Sequence, residues 1–138
     1  MKSFKIKFSR ILPPVLLVFL FTGCGIAYEV NREKLLKSAS VSDWGAPPPS
    51  WHWEVEEKWI LNTLKDPNSA IFRHGTVEKD AIIGGGGSAQ LAWVSSLYVN
   101  AKNSYGGYVG DTLYQFAWKN ERLVAVKENK YLQWELLK

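Results

Sequence analysis

Cysteine and histidine are scarce in this chain, which has one cysteine, Cys24, and two histidines among its 138 residues. A single thiol excludes a framework of internal disulfides. No second histidine lies at metal-ligand spacing from His52, so the side chains that most often bind zinc do not form a recognisable set. We therefore expect neither a metal nor another cofactor, and a fold that is held together by packing alone.

Long hydrophobic runs are also missing. The longest run, Ile11 to Phe21, has eleven residues and contains Pro13 and Pro14, which is too short for a helix that crosses a hydrocarbon layer of about 30 Å. It follows a segment that has four basic residues and no acid, namely Lys2, Lys5, Lys7 and Arg10. A basic segment followed by a short apolar run is typical of an export signal, which we place over residues 1–23.

The apolar run ends in Phe21-Thr22-Gly23-Cys24, which resembles the lipobox of bacterial lipoproteins, although the lipobox prefers Leu where Phe21 stands. In that arrangement the cysteine takes a diacylglyceryl group and becomes the first residue after cleavage. We expect Cys24 to be the lipidation site, with the lipid bilayer as a partner. The alternatives are an ordinary secretory signal cleaved near Gly23, or a buried free thiol.

The residue after the cysteine predicts which membrane holds the anchor. Gly25 stands where Gram-negative lipoproteins that stay in the inner membrane usually have Asp. This resemblance favours the outer membrane with the domain facing the periplasm, and the inner membrane is the alternative.

An excess of positive charge is also missing once the leader is removed. Four of the 17 Lys and Arg residues lie in the leader, which leaves 13 basic and 13 acidic residues and no cluster of basic residues. Binding to nucleic acid depends mainly on neutralising a row of phosphates. We therefore expect no nucleic-acid partner.

The remaining chain divides into a tether and one small domain. Residues 24–49 are polar around Asn31 to Lys37 and end in Gly45-Ala46-Pro47-Pro48-Pro49, which predicts a flexible, Pro-rich tether with a stiff end. Within it, Tyr28 to Ala39 has the spacing of a short amphipathic helix with a thin apolar face. Residues 50–138 are long enough for one domain with a modest core.

The domain begins with a helical pattern. Ser50 is a candidate N-cap, Glu54, Glu56 and Glu57 suit the positive end of a helix dipole, and Asp66-Pro67 predicts the end. A buried face is predicted from Trp51, Val55, Trp59, Ile60, Thr63 and Leu64.

Four stretches rich in Val, Ile, Tyr, Phe and Trp then predict strands, Ile71 to Val77, Leu91 to Asn100, Tyr108 to Lys119 and Arg122 to Lys127. We predict an α+β fold, one N-terminal helix packed on a small antiparallel sheet of about four strands, preceded by a lipobox signal and a flexible tether.

The connections between these strands are also readable. Asn120-Glu121 is short enough to close a hairpin, and the four glycines from Gly84 to Gly87 indicate a mobile loop. One face of the third strand is mainly aromatic and pairs with either Val124 and Val126 or Leu123 and Ala125, depending on register. The last segment, Tyr131 to Leu137, is compatible with a strand or a short helix.

Two segments carry a family resemblance. Leu64 to Phe72 and Tyr98 to Gly110 resemble the DPxSAxF and VNAKNSxGGYxG patterns of small bacterial exported proteins, many of them lipoproteins and some encoded in prophages. The family has no established reaction, so the resemblance implies a small α+β domain and no chemistry. In many relatives a cysteine precedes the second pattern, where this chain has Ser95 and Ser96.

The second pattern supplies the candidate binding residues. Its glycines permit a tight turn, and it concentrates hydrogen-bonding groups and flat rings, namely Asn100, Lys102, Asn103, Ser104, Tyr105 and Tyr108. Such a turn suits the binding of a protein backbone, a peptide or a polar glycan. The alternative, to which we give equal weight, is that its Asn, Ser and Gly residues serve the geometry of a hairpin and bind nothing.

Catalytic motifs are absent from the sequence, which contains neither G-x-S-x-G nor H-E-x-x-H. We predict a non-catalytic binding module that engages an envelope protein. The alternative is a lipoprotein that binds peptidoglycan or another glycan through Trp and Tyr rings, and an envelope enzyme is the third hypothesis.

Overall fold

A computed structural model of the chain describes residues 28–84, 89–129 and 133–137. The predicted leader 1–23 and the lipidation site Cys24 lie outside the described residues. Within the described ranges, no helix is both long and apolar enough to cross a membrane.

Five strands form one antiparallel sheet in the order of the sequence. The strands are β1 (Ile71–Ile83), β2 (Ala89–Asn100), β3 (Thr112–Lys119), β4 (Arg122–Glu128) and β5 (Glu135–Leu136). The helices are α1 (residues 28–38) and α2 (His52–Leu61), and Val41–Trp44 and Pro67–Ser69 form single 3-10 turns. The predicted α+β fold with an antiparallel sheet is therefore confirmed, and the last segment, whose sequence is compatible with a strand or a short helix, contains the short fifth strand.

Helix α2 packs on one side of the sheet. The buried cluster under it combines Ile60 with strand residues, which are Leu97, Val99, Phe116, Trp118 and Val126, and Val55, Trp59 and Leu64 also contact this cluster. The aromatic face predicted for β3 thus forms the floor of the core. Burial of these large apolar side chains supplies most of the energy that holds α2 in place.

The beginning of α2 differs from the prediction. The N-cap is Trp51 rather than Ser50, and it makes no side-chain capping bond. Because Trp51 precedes the first helical residue, it does not follow the helical periodicity, and its side chain is 53 % exposed. His52 contacts the sheet instead, with its ring at 6.1 Å from the Trp118 ring in an edge-on arrangement.

The hairpin between β3 and β4 closes at Asn120 and Glu121, as predicted. Both residues have positive φ, 49° and 63°, which is the conformation of a type I′ turn. The pairing then shifts, because Ala117 faces Ala125 while Trp118 faces Leu123. This bulge places Leu123 and Val126 with the aromatic cluster, a combination that neither of the two regular registers would give.

The other side of the sheet buries smaller side chains around Trp134, which are Ile82, Ala92, Val94, Ala117 and Ala125. Gly84, next to the end of β1, forms a parallel bridge with Trp134, so the two edges of the sheet meet at this end. Ala81, Ile82 and Ile83 belong to β1, which continues past its predicted end at Val77. Residues 85–87 of the predicted glycine loop lie outside the described residues.

Residues 28–44 differ from the predicted flexible tether, because they pack on the sheet. Arg32 Nε donates to Asp80 Oδ1 at 2.7 Å, and Trp44 is buried against Ala81 and Leu91. The polar character of this segment suggested solvation, but its few apolar side chains and one arginine are spaced so that they reach the sheet. The predicted amphipathic helix is present as α1.

Candidate functional site

The turn between β2 and β3 is held in shape by Asn103. Its side-chain Oδ1 accepts hydrogen bonds from the backbone N–H groups of Tyr105 at 2.9 Å and Gly107 at 3.2 Å. Its own backbone exchanges two further bonds, with the carbonyl of Gly107 and the N–H of Gly106. Gly106 has φ +81°, a conformation that costs a side chain about 1 kcal/mol or more. Asn103 therefore shapes the turn through both its side chain and its backbone.

The turn is also attached to the segment that follows α2. Ser69 Oγ accepts the N–H of Lys102 at 2.9 Å and donates to the carbonyl of Asp66 at 2.9 Å. Lys65 Nζ donates to Ser104 Oγ at 3.0 Å. The two segments that carry the family resemblance thus contact each other, which the sequence did not show.

Three side chains of the turn point into solvent. Tyr105 is 96 % exposed, Val109 67 % and Tyr108 49 %. Lys102 Nζ lies 5.6 Å from the centre of the Tyr108 ring, within the range of a cation–π contact. Tyr105, Tyr108 and Val109 together form an exposed surface at the end of the turn, which we call the tip.

Asn100 occupies a different place from the other predicted site residues. It is the last residue of β2, opposite Ile71 on β1. Its side-chain Oδ1 is buried and has no hydrogen-bond partner among the described residues. Asn100 therefore belongs to the base of the turn rather than to its exposed surface.

A groove of about 330 Å³ lies beside the tip, between the end of α2 and the turn. Its lining residues are Thr63, Leu64, Lys65, Val99, Ala101, Lys102, Asn103, Ser104, Val109, Gly110, Thr112 and Tyr114. Among the described residues that line it, Lys65 and Lys102 are the charged ones and none is Asp or Glu. The turn and the groove together form the candidate site.

A buried polar cluster under α2 was not anticipated from the sequence. Glu56 is 1 % exposed and Ser95 is 2 % exposed. Glu56 Oε1 accepts hydrogen bonds from Ser95 Oγ and, at 2.9 Å, from Trp118 Nε1. The one available signal was helical spacing, because Glu56 lies four residues before the buried Ile60.

Burial raises the pKa of the Glu56 carboxyl above its usual value, and the bonds from Ser95 and Trp118 oppose that rise. The charges of His52 and His74 also oppose it. Because Ser95 and Glu56 are almost fully buried, neither can reach a substrate in solution. The cluster therefore joins α2 to the sheet, and it gives Ser95 a structural role.

A second polar contact lies on the exposed flank of α2. His74 Nε2 on β1 is 2.9 Å from Glu57 Oε1, and the His74 ring packs edge-on against Trp53 at 5.9 Å. Trp53 is 42 % exposed. Over the described ranges of the chain, no group of three or more His, Cys, Asp and Glu side chains is close enough to hold a metal ion.

We compared the chain with protein-family models, with curated proteins and with solved structures, and none of the three comparisons gave a match. The resemblance of the two segments to exported bacterial proteins therefore stays a prediction.

Proposed function

We propose that the chain is a bacterial envelope lipoprotein whose folded domain is a non-catalytic binding module. Acylated Cys24 attaches it to the bilayer, with the outer membrane as the favoured location and the domain facing the periplasm. The tip of the turn docks on an envelope protein. An envelope enzyme is less favoured, because the polar cluster that most resembles a set of catalytic side chains is buried. It consists of Glu56, Ser95 and Trp118.

The observation that carries this proposal is the exposure of Tyr105 on a rigid turn. An almost fully exposed aromatic ring has no packing role, whereas tyrosine is enriched in protein interfaces and in their energetic hot spots. The internal bonds of Asn103 fix the turn before any partner binds. A turn that is already ordered loses less conformational entropy on binding.

Photo-crosslinking tests the docking. We expect a photoreactive phenylalanine analogue at position 105 to give one discrete cross-linked envelope protein in intact cells. Tyr105→Ala should weaken binding of that protein by about 2 kcal/mol, the usual loss at a hot spot. The measurement is affinity between the purified partners in detergent.

The matched control is the same analogue at Val41, which is 85 % exposed on a distant 3-10 turn. Equal labelling from positions 41 and 105, or unchanged affinity after Tyr105→Ala, would contradict docking through the tip.

A second function, glycan binding, is favoured by the flank of α2. Trp53 presents a partly exposed ring beside the hydrogen-bonding groups of His74 and Glu57. Sugar sites combine an apolar surface with a few such polar groups, and an indole ring offers that surface.

Sedimentation with purified peptidoglycan tests this second function. If it holds, the protein is enriched in the pellet and Trp53→Ala lowers the bound fraction at least several-fold. Trp51→Ala is the control, because Trp51 is similarly exposed but has no such polar neighbours among the ring and ion-pair contacts of the described residues. No enrichment of the unaltered protein would eliminate the glycan hypothesis.

A further inference from the structure

The groove beside the tip has a basic lining. Lys65 comes from the segment after α2 and Lys102 from the turn, so two elements that are distant in sequence contribute one positive charge each. The two acids nearest to the groove in sequence, Asp66 and Asp111, are not part of the lining. Asp111 Oδ2 is also paired with Arg73 Nη2 at 2.6 Å. The groove therefore favours a negatively charged occupant.

Both ammonium groups are positioned and can still bind a ligand. Lys65 Nζ uses one hydrogen bond on Ser104 Oγ, and an ammonium group has three donors. Lys102 Nζ lies over the Tyr108 ring, a contact that leaves its hydrogen-bond donors available. A carboxylate has two oxygens, and each can accept a charge-assisted hydrogen bond from an ammonium group.

The size and the apolar part of the groove narrow the class of occupant. A volume of about 330 Å³ holds a few side chains and not a folded domain. Leu64, Val99 and Val109 supply apolar contacts in the same lining. An extended peptide with alternating acidic and apolar side chains fits both properties.

We propose that the groove binds an extended acidic segment of the partner protein, whose carboxylate is held by Lys65 and Lys102. This inference rests on the proposed docking function and specifies the chemistry of its partner. The apolar part of the lining, which includes Val109 of the tip, contributes the apolar contacts, and the two lysines determine the preference for an acid.

Nuclear magnetic resonance with a defined peptide tests the preference without knowledge of the natural partner. The ¹⁵N-labelled full protein in detergent is titrated with Ac-Gly-Glu-Val-Glu-Gly-NH2 and with its glutamine twin. We expect saturable shifts of backbone amides in residues 63–65 and 101–112, and binding at least about tenfold tighter for the glutamate peptide. Equal shifts with both peptides would overturn the inference.

Substitution of the lysines provides the second arm. The double substitution Lys65→Gln and Lys102→Gln should lower the affinity for the glutamate peptide roughly tenfold. The control is Lys58→Gln, on the exposed surface of α2, which should leave that affinity unchanged. A double variant that is folded by circular dichroism and binds normally would overturn the inference.

Two results separate this inference from the docking proposal and from a lipid ligand. If the double lysine variant keeps the full affinity for the protein cross-linked from position 105, docking stands and the acidic preference is wrong. If phosphatidylglycerol vesicles shift the same amides and the glutamate peptide does not, the groove binds lipid phosphate and the inference is overturned.

Discussion

Replacing Trp118 with alanine is expected to lower the free energy of unfolding by about 4 kcal/mol or more. The side chain is 1 % exposed and belongs to the main core cluster, and truncation of a buried aromatic ring usually costs about 3–5 kcal/mol. Trp118 Nε1 also donates to Glu56 Oε1. Its loss leaves a buried carboxylate with one donor fewer, which adds to the cost of the cavity.

A second substitution distinguishes the contribution of the ring from that of its N–H group. Trp118→Phe keeps much of the apolar volume and removes the N–H, so we expect a loss of about 1–3 kcal/mol. Urea unfolding, followed by circular dichroism, measures both variants. Trp51→Ala is the control for the loss of a tryptophan as such, because its exposed side chain should contribute less than about 0.5 kcal/mol. A Trp118→Ala protein as stable as the parent would contradict the packing of α2 on this face.

The second large effect is the pH dependence that Glu56 gives to stability. Because its pKa is raised in the folded protein, the folded state binds more protons than the unfolded state between the two pKa values. The free energy of unfolding therefore falls as the pH rises from about 4.3, the ordinary value of a glutamate, through the raised folded value. Below about pH 4.3 this stabilisation is fully present, and above the folded pKa it is lost.

Glu56→Gln should remove this part of the pH dependence. The amide oxygen still accepts the bonds from Ser95 and Trp118, and no charge has to be buried, so stability at neutral pH should equal or exceed that of the parent. Glu56→Ala removes the acceptor for Ser95 and Trp118 and leaves a cavity, so it should lower the free energy of unfolding by about 1–3 kcal/mol. The measurement is urea unfolding at a series of pH values.

The control for other titrating groups is Glu57→Gln, at the neighbouring position, where the carboxylate contacts His74 on the exposed flank. It should leave the pH dependence due to Glu56 in place. A parent protein and a Glu56→Gln variant with parallel pH profiles would show that Glu56 does not titrate differently in the folded state.

Local patterns predicted the elements well where neighbours in sequence decide the structure. The helical pattern after Ser50 correctly predicted α2, but the helix ends at Leu61, so Thr63 and Leu64 lie beyond its end and not on its face. Asn120 and Glu121 adopt the left-handed conformations that a two-residue hairpin requires. The alternation of large and small side chains in β3 correctly predicted an aromatic face, which became the core floor.

The same patterns failed where distant contacts decide. The register of β4 depends on a bulge opposite Ala117 and Trp118, which no pattern in the strands encodes. Glu56 lies near the start of a helix, where acids are usually exposed to solvent, but here it is buried and bonded to Ser95 on β2 and Trp118 on β3. The polar composition of the predicted tether did not indicate which of its residues contact the sheet. Arg32 is one of them, and its partner Asp80 is 48 residues away.

The candidate site shows the same division. The sequence identified the turn and six of its residues, and the structure assigned them different roles: Asn103 shapes the turn, Asn100 lies at its base, and Tyr105 faces solvent. The groove was not predictable, because its lining combines the segment after α2 with the turn.

By itself, the sequence determined the local elements and the residues available for binding, because helical periodicity, strand alternation and turn geometry act over a few residues. It also gave the prediction of a lipid anchor at Cys24. Only the tertiary structure decided that Lys65 and Lys102 share one groove and that Glu56 meets partners 39 and 62 residues away. Such meetings depend on sheet register and on how a helix docks, which are set by packing across the whole domain.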